Sequence, residues 1–445
     1  MNGSLRLNVV AGAFGMFWLC APLGAPLPLL MQAVDASATQ LGLLSAAWQL
    51  AMLAQIPASL FAETMDRRKP FWATTCIVHR ILWATPALLP WLLPASPKLW
   101  PVVLIAALGL SNLLANAGTA SWQSWMADLV PPESAGRFWS VRQLVLSFGL
   151  VGATALYGWM LDHASRGVVE RPYSGFQQVF LLCAAMGVLD VVLHCFVEEP
   201  AHRRSVTRKG LGKRLIQPFQ KRGFGLLTFA MAAWVGAQAV VGYTMALPGF
   251  FSMVHLREAF GANYLQASLV FISAALGAAF FTPWLGPWMD RAGAARVLTR
   301  LVWLGPLSMA GWWLGAPGEA QWGGIIFPKA IVWISIAALL QGAIYTGAML
   351  CQFRLTQVYT ASEGRTVAMA VHWSIVGMGG ALGAVGAGCL KDALPSGPLG
   401  FLPGQWRTFD LLVLLHALIA WAMVWPLCRS LQRGADGDTS ELSPR

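Results

Sequence analysis

Twelve long apolar stretches account for most of this chain, and they leave little room for a water-soluble fold. A helix crossing the hydrocarbon core needs about 20 mainly apolar residues. Stretches of that kind fall at roughly 7–31, 39–63, 70–94, 100–126, 138–161 and 175–197, and again at 223–251, 263–288, 294–315, 327–353, 366–390 and 408–428. The breaks carry turn chemistry: Asp-Ala-Ser-Ala-Thr before the second stretch, Pro131-Pro132 after the fourth, and Pro395 to Pro403 before the twelfth. Only 11% of residues are charged, against about 25% in soluble domains. The fold class read from this pattern is an all-α membrane protein with twelve transmembrane helices. Arg6 is the one charge before the first stretch, and no convincing cleavage site follows it, so a retained first helix is expected. Seven scattered cysteines lack the spacing of a disulfide framework or a zinc site. No cofactor and no metal is expected.

The longest polar segment before the C-terminal tail runs from Glu198 to Arg222 and holds eight Lys/Arg. A basic cluster just beyond a hydrophobic segment belongs on the cytoplasmic side, beside anionic lipid. With both termini inside, 22 of the 30 Lys/Arg fall on the cytoplasmic side, including Arg137 and Arg142, and seven on the outer side. Arg80 is left within a helix. The net charge of +11 raises nucleic acid as a partner, but the charges lie in loops flanking apolar segments, so the bilayer is the partner expected and nucleic acid is not. The domains read as a six-helix bundle over 1–197, a basic cytoplasmic linker over 198–222, a second six-helix bundle over 223–429, and a disordered cytoplasmic tail over 430–445. A monomer in the cell (inner) membrane is expected.

The two halves echo one another. Met65-Asp66-Arg67 follows the second stretch and Met289-Asp290-Arg291 the eighth. Glu133 and Arg137 precede the fifth stretch, Glu363 and Arg365 the eleventh. Asp162 closes the fifth and Asp392 the eleventh. Three echoes in order, at nearly constant offset, point to a duplicated six-helix unit. Here the chain resembles the major facilitator superfamily. The run Gly286-Pro-Trp-Met-Asp290-Arg291-Ala-Gly293 matches that family's loop motif G-x-L-a-D-r-x-G-r-k. The first copy, Ala62-Glu-Thr-Met-Asp66-Arg67-Arg68-Lys69, lacks both glycines. The resemblance implies two six-helix bundles around a central cavity. It also implies a cytoplasmic gate in which Asp66 and Asp290, with Arg67 and Arg291, latch one state, with Glu133, Arg137, Glu363 and Arg365 as candidate partners.

Polar residues deep in apolar segments are costly and tend to face a cavity or another helix. Asn112 and Asn116 share one face of the fourth segment with Thr119 and Gln123, and Gln341 and Tyr345 are i, i+4 in the tenth. Gln49, Gln238, Tyr243 and His372 are further candidates. In the family fold the first, fourth, seventh and tenth helices line the cavity, so the resemblance makes these residues candidate substrate ligands. Helix-to-helix hydrogen bonding is the alternative reading of each. Among nineteen Asp/Glu, only Asp190 lies well inside a segment. Arg80 is the basic residue that matches it, and an ion pair Arg80–Asp190 is expected, with an Arg80 clamp on an anionic substrate as the other reading.

These features favour a secondary transporter that moves a small polar organic solute, sugar-like or zwitterionic, by alternating access. Two alternatives stay open: a transport-incompetent sensor on the same fold, or an exporter of an anionic solute that uses Arg80. An enzyme is not expected, because the seven His, at 79, 163, 194, 202, 255, 372 and 416, are scattered. A pump fuelled by nucleotide is disfavoured by the lack of G-x-x-x-x-G-K-[ST].

Overall fold

The computed structural model describes residues 3–63, 65–131, 135–167, 173–200, 217–244, 247–315, 318–322, 325–360, 365–395, 399 and 406–441. Most of the basic linker, Glu133 and Glu363 lie outside the described residues, as do the side chains of Arg137 and Arg365. Among those described, ten helices are long and apolar enough to cross a membrane. Helix is the form an apolar stretch takes in lipid, because it satisfies its own backbone hydrogen bonds.

In chain order the first helices are α1 (Gly3–Leu23), α2 (Pro26–Ala33), α3 (Ala38–Leu50), α4 (Gln55–Glu63), α5 (Lys69–Leu82), α6 (Thr85–Leu92), α7 (Trp100–Leu129), α8 (Ala135–Gly167) and α9 (Ser174–Cys195). Then come α10 (Arg222–Val240), α11 (Phe250–Phe260), α12 (Tyr264–Ala292), α13 (Ala294–Ser308), α14 (Gly311–Leu314), α15 (Ala330–Tyr359), α16 (Arg365–Ala393), α17 (Thr408–Ile419) and α18 (Trp425–Glu441). Several expected spans are built from more than one helix: 7–31 from α1 and α2, 39–63 from α3 and α4, 70–94 from α5 and α6, 294–315 from α13 and α14, and 408–428 from α17 and the start of α18. The 70–94 span breaks between α5 and α6, where Pro86 removes a backbone donor, and the 294–315 span breaks after Pro306.

The seventh span departs further from expectation. Its helix ends at Val240, where Gly242 takes a φ of 79°, a conformation that favours glycine. A short hairpin follows, β1 (Tyr243–Thr244) with β2 (Leu247–Pro248), before α11 begins. Tyr243, expected on a helix, therefore lies in a strand. A second hairpin, β3 (Glu319–Trp322) with β4 (Ile325–Pro328), precedes α15. The tail expected to be disordered from 430 is helical as far as Glu441.

Packing divides the chain into two compact units. The first comprises Met1–Ala36, Ala51–Arg208 and Asn263–Ser268; the second comprises Ser37–Leu50, Lys209–Ala262 and Leu269–Arg445. In the first, α1 packs on α8 and α9, and α5 on α7 and α9. In the second, α16 is the central element, flanked by α3 on one side and α10 on the other. Its glycine density follows from that position. A methyl group at Gly379 or Gly383 would collide with the α10 backbone at Ala232 and Gly236, and one at Gly388 with the α3 backbone at Ala38. The motif glycine Gly293 joins α12 to α13 at a φ of 82°, a turn that a side chain would strain.

Each unit is closed by the same device. In the first, Asp162 accepts the amides of Tyr264 and Leu265 at 2.8 and 3.0 Å. In the second, Asp392 accepts those of Ala38 and Thr39 at 2.9 and 2.7 Å. A carboxylate at a helix N-terminus satisfies orphan N–H donors and suits the positive end of the helix dipole.

Candidate functional site

The polar centre of the first unit is built on three helices that approach closely. Arg80 on α5 donates from Nη2 to Asp190 Oδ2 on α9 at 2.9 Å, with the two side chains 11% and 7% exposed. Room for this pair comes from glycine: a methyl at Gly15 of α1 would come within 2.8 Å of Asp190 Oδ2, and one at Gly187 of α9 within 2.7 Å of Arg80 Cδ. The Arg80 guanidinium lies 3.7 Å from the centre of the Trp18 ring, an attraction that strengthens when desolvated.

Two histidines complete the cluster. His79 Nε2 accepts from Arg80 Nη1 at 3.3 Å, so its Nδ1 carries the proton and faces Ser111 Oγ at 2.6 Å. The Ser111 hydroxyl in turn donates to the His79 carbonyl at 2.9 Å. That pattern assigns the neutral imidazole. His194 Nδ1 is 3.0 Å from Asp190 Oδ1, but its proton is directed at the Asp190 carbonyl oxygen, 2.9 Å away. Asp190 Oδ1, His194 Nε2 and Arg80 Nε are consequently buried with no hydrogen-bond partner. Buried polar atoms are nearly always paired, and exceptions mark functional sites or unseen partners.

These groups line a cavity of about 240 Å³ whose wall also includes Trp72, Trp122, Thr119 and Arg142. Arg142 donates from Nε to Asn8 Oδ1 at 3.0 Å, and its guanidinium carbon stands 5.1 Å from the Trp122 ring centre and 5.6 Å from that of Trp139. The sequence placed Arg142 among the cytoplasmic flanking charges; in the structure it is a cavity residue, because α8 starts at Ala135 and carries it inward.

The face of α7 on this cavity is Ala115, Thr119 and Trp122. Asn112 and Asn116, which share a face with Thr119 by helical spacing, do not border the cavity. Asn112 is buried, and Asn116 Oδ1 accepts from Gln55 Nε2 at 2.7 Å. The other candidates lie in the second unit. Gln341 Nε2 donates to Gln238 Oε1 at 2.8 Å, while Gln341 Oε1 accepts from Ser308. His372 binds Thr228 Oγ1 through Nδ1 at 2.8 Å and Gln352 Nε2 through Nε2 at 2.6 Å. Tyr345 is buried in the apolar core, Gln49 packs over Gly380, and Tyr243 accepts from Trp312 Nε1 at 3.3 Å. Each of these side chains sits among helices of its own unit.

At the loop motifs, Asp66 and Arg67 are exposed, as is Arg291. Asp290 pairs with Arg354 of α15, a partner that the sequence did not suggest. The first copy holds a network that sequence reasoning missed. Arg68, fully buried, binds Asp128 at 2.6 Å. Glu199 Oε1 accepts the amides of Arg68 and Lys69 at 2.6 and 2.9 Å and so caps α5. Lys69 Nζ donates to the carbonyls of Cys195 and Val197 at 3.0 and 2.7 Å, a cation on the negative end of α9.

Comparison with known proteins bears on the whole frame. A mutant of the nucleoside transporter NupG superposes with a TM-score of 0.70 at 14% identity, covering 96% of this chain and 99% of that one. A bacterial homologue of the human lysosomal transporter Spinster, inward-facing and unoccupied, gives 0.66 at 18% identity over 97% of each chain. A D-xylose-proton symporter gives 0.65 at 14% identity, covering 94% of this chain and 97% of that one. At such identities the likeness establishes fold alone. No curated protein matches the sequence. The profile of the Major Facilitator Superfamily, however, matches residues 8–384, most of the chain, and the chain is therefore a member of that family of membrane transporters.

Proposed function

We propose that the protein is a secondary transporter that moves a small polar organic solute across the membrane by alternating access, and that the solute lodges in the Arg80–Asp190–Arg142 cavity of the first unit. One observation carries this reading: Arg80, Asp190, His194 and Arg142 line one open volume, and Arg80 Nε, Asp190 Oδ1 and His194 Nε2 are buried with no hydrogen-bond partner. Charge inside an apolar segment is expensive, and a buried group left unpaired adds to that cost. A polar solute with its own donors and acceptors would offset both. The charge bias of the loops supports cytoplasmic termini in the cell (inner) membrane. A cysteine at Ser205 should resist impermeant thiol reagents in intact cells, and one at Ser396 should react.

The test is flux. Protein reconstituted into liposomes should exchange a solute chosen by thermal-shift screening, since a ligand of the folded state raises stability. Thr119→Trp, which fills the cavity from α7, should abolish both the shift and the flux. Flux undiminished by Thr119→Trp would refute the site. Binding without flux would make the protein a receptor on a transporter fold.

A further inference from the structure

The charges around the cavity do not balance, and the excess has an address. Asp190, the carboxylate of the cluster, is committed to Arg80, which holds its Oδ2 at 2.9 Å, while its Oδ1 is buried beside His194 without a hydrogen-bond partner. His79 is neutral by its hydrogen-bond pattern. Arg142 remains. Among the described residues no carboxylate contacts it, and its one hydrogen bond leaves through Nε to Asn8. That bond is itself fixed, since Asn8 is fully buried and its Nδ2 donates to Met126 Sδ at 3.2 Å. Trp122 and Trp139 hold the guanidinium near their rings. Gly12 lets Nη2 approach α1 to a distance that a methyl group would reduce to 3.2 Å.

We infer that Arg142 is the anchor for an oxyanion, and that the solute is an organic monoanion, a carboxylate with a flat apolar body. This deepens the proposed function and rests on it. A guanidinium held by Nε presents its Nη1 and Nη2 donors as a fork, the geometry that pairs bidentately with a carboxylate. Two guanidiniums and one carboxylate leave one positive charge, which one negative charge neutralises. The Trp18, Trp72 and Trp122 rings on the wall suit an apolar body. Arg80 is the neutralised partner of Asp190 and is not the anchor.

The probes are benzoate and indole-3-acetate beside their uncharged amides, benzamide and indole-3-acetamide, with binding to the purified full-length protein followed by thermal shift and calorimetry. The acids should bind and the amides should not. Arg142→Gln should weaken benzoate about 10- to 150-fold. Asn8→Ala, which keeps the charge but frees the fork, should weaken it about 2- to 12-fold and guards against a variant that fails to fold. Equal binding of acid and amide, or benzoate binding unchanged in Arg142→Gln, overturns the assignment. Flux of an uncharged solute that Thr119→Trp still blocks would overturn the oxyanion class yet leave the cavity as the transport site. Competition between phosphatidylglycerol and benzoate in nanodiscs would reassign Arg142 to a lipid headgroup and overturn the solute assignment.

Discussion

Replacing Asp190 by Asn removes the one negative charge in the first unit's cavity while keeping the side chain's shape. Unit charges 2.9 Å apart attract by about 6 kcal/mol at an effective dielectric near 20. Relief of the carboxylate's own desolvation offsets part of that loss, so the net cost of breaking a pair this buried is about 3–5 kcal/mol. The larger effect is electrostatic isolation, because Arg80 and Arg142 then share one cavity without a counter-charge. Arg80→Gln should cost less, since the glutamine amide still offers the stranded carboxylate a hydrogen-bond donor. The double variant Arg80→Gln/Asp190→Asn has no charge left to strand at the pair, so it should be more stable than the sum of the singles by at least ~2 kcal/mol. Denaturant unfolding in detergent, for wild type and the three variants, supplies the cycle. Single-variant losses that add within ~0.5 kcal/mol would show that the two charges do not depend on each other, and the account of the cavity's electrostatics would be wrong.

Three further outcomes are expected. Asp162→Ala and Asp392→Ala should each cost about 1 kcal/mol as lost helix caps, seen as faster hydrogen exchange confined to the first turns of α12 and α3 respectively. Gly383→Val should fail by overpacking against Gly236, lowering stability by about 1–3 kcal/mol, read as a lower melting temperature and poorer monodispersity, while Gly386→Val, which meets nothing within 4 Å, should be tolerated. Gln341→Ala should destabilise by about 1–3 kcal/mol through the amide of Gln238 and the hydroxyl of Ser308 that it strands, yet leave solute binding unchanged; weakened binding with intact stability would restore Gln341 to the substrate site.

Sequence alone reveals the helical spans because segment length and apolarity are set by the bilayer, not by the partners a helix meets. It misplaces the end of the seventh helix because Gly242 and Pro248 sit in a run apolar enough to hide them. Arg80 and Asp190 stand out in the sequence as lone charges among apolar neighbours. Arg142 does not, since it lies a few residues inside a helix start and reads as a flanking charge. Whether it faces solvent or a cavity depends on α1 and α7, which the local sequence cannot show. Glu199 and Asp128 are invisible for the same reason: a carboxylate in a loop reads as topology until the helix N-terminus or guanidinium that it meets is in place. The Asn112–Asn116 face is a further case. Helical spacing groups those residues with Thr119, but how far along that face the cavity reaches is settled by packing.

The packing of α3 against α16 sets a timetable for synthesis. Residues 38–50 are made early, whereas the helix that covers them, Arg365–Ala393, leaves the ribosome more than 300 residues later. At about 5–20 residues per second the Gly42 face of α3 waits on the order of 15–60 s for its partner. The first unit likewise stays unfinished until residues 263–268 arrive to meet Asp162. Neither unit is a contiguous piece of the chain, so a polypeptide stopped before α16 keeps a helix whose packing surface has nothing to cover it.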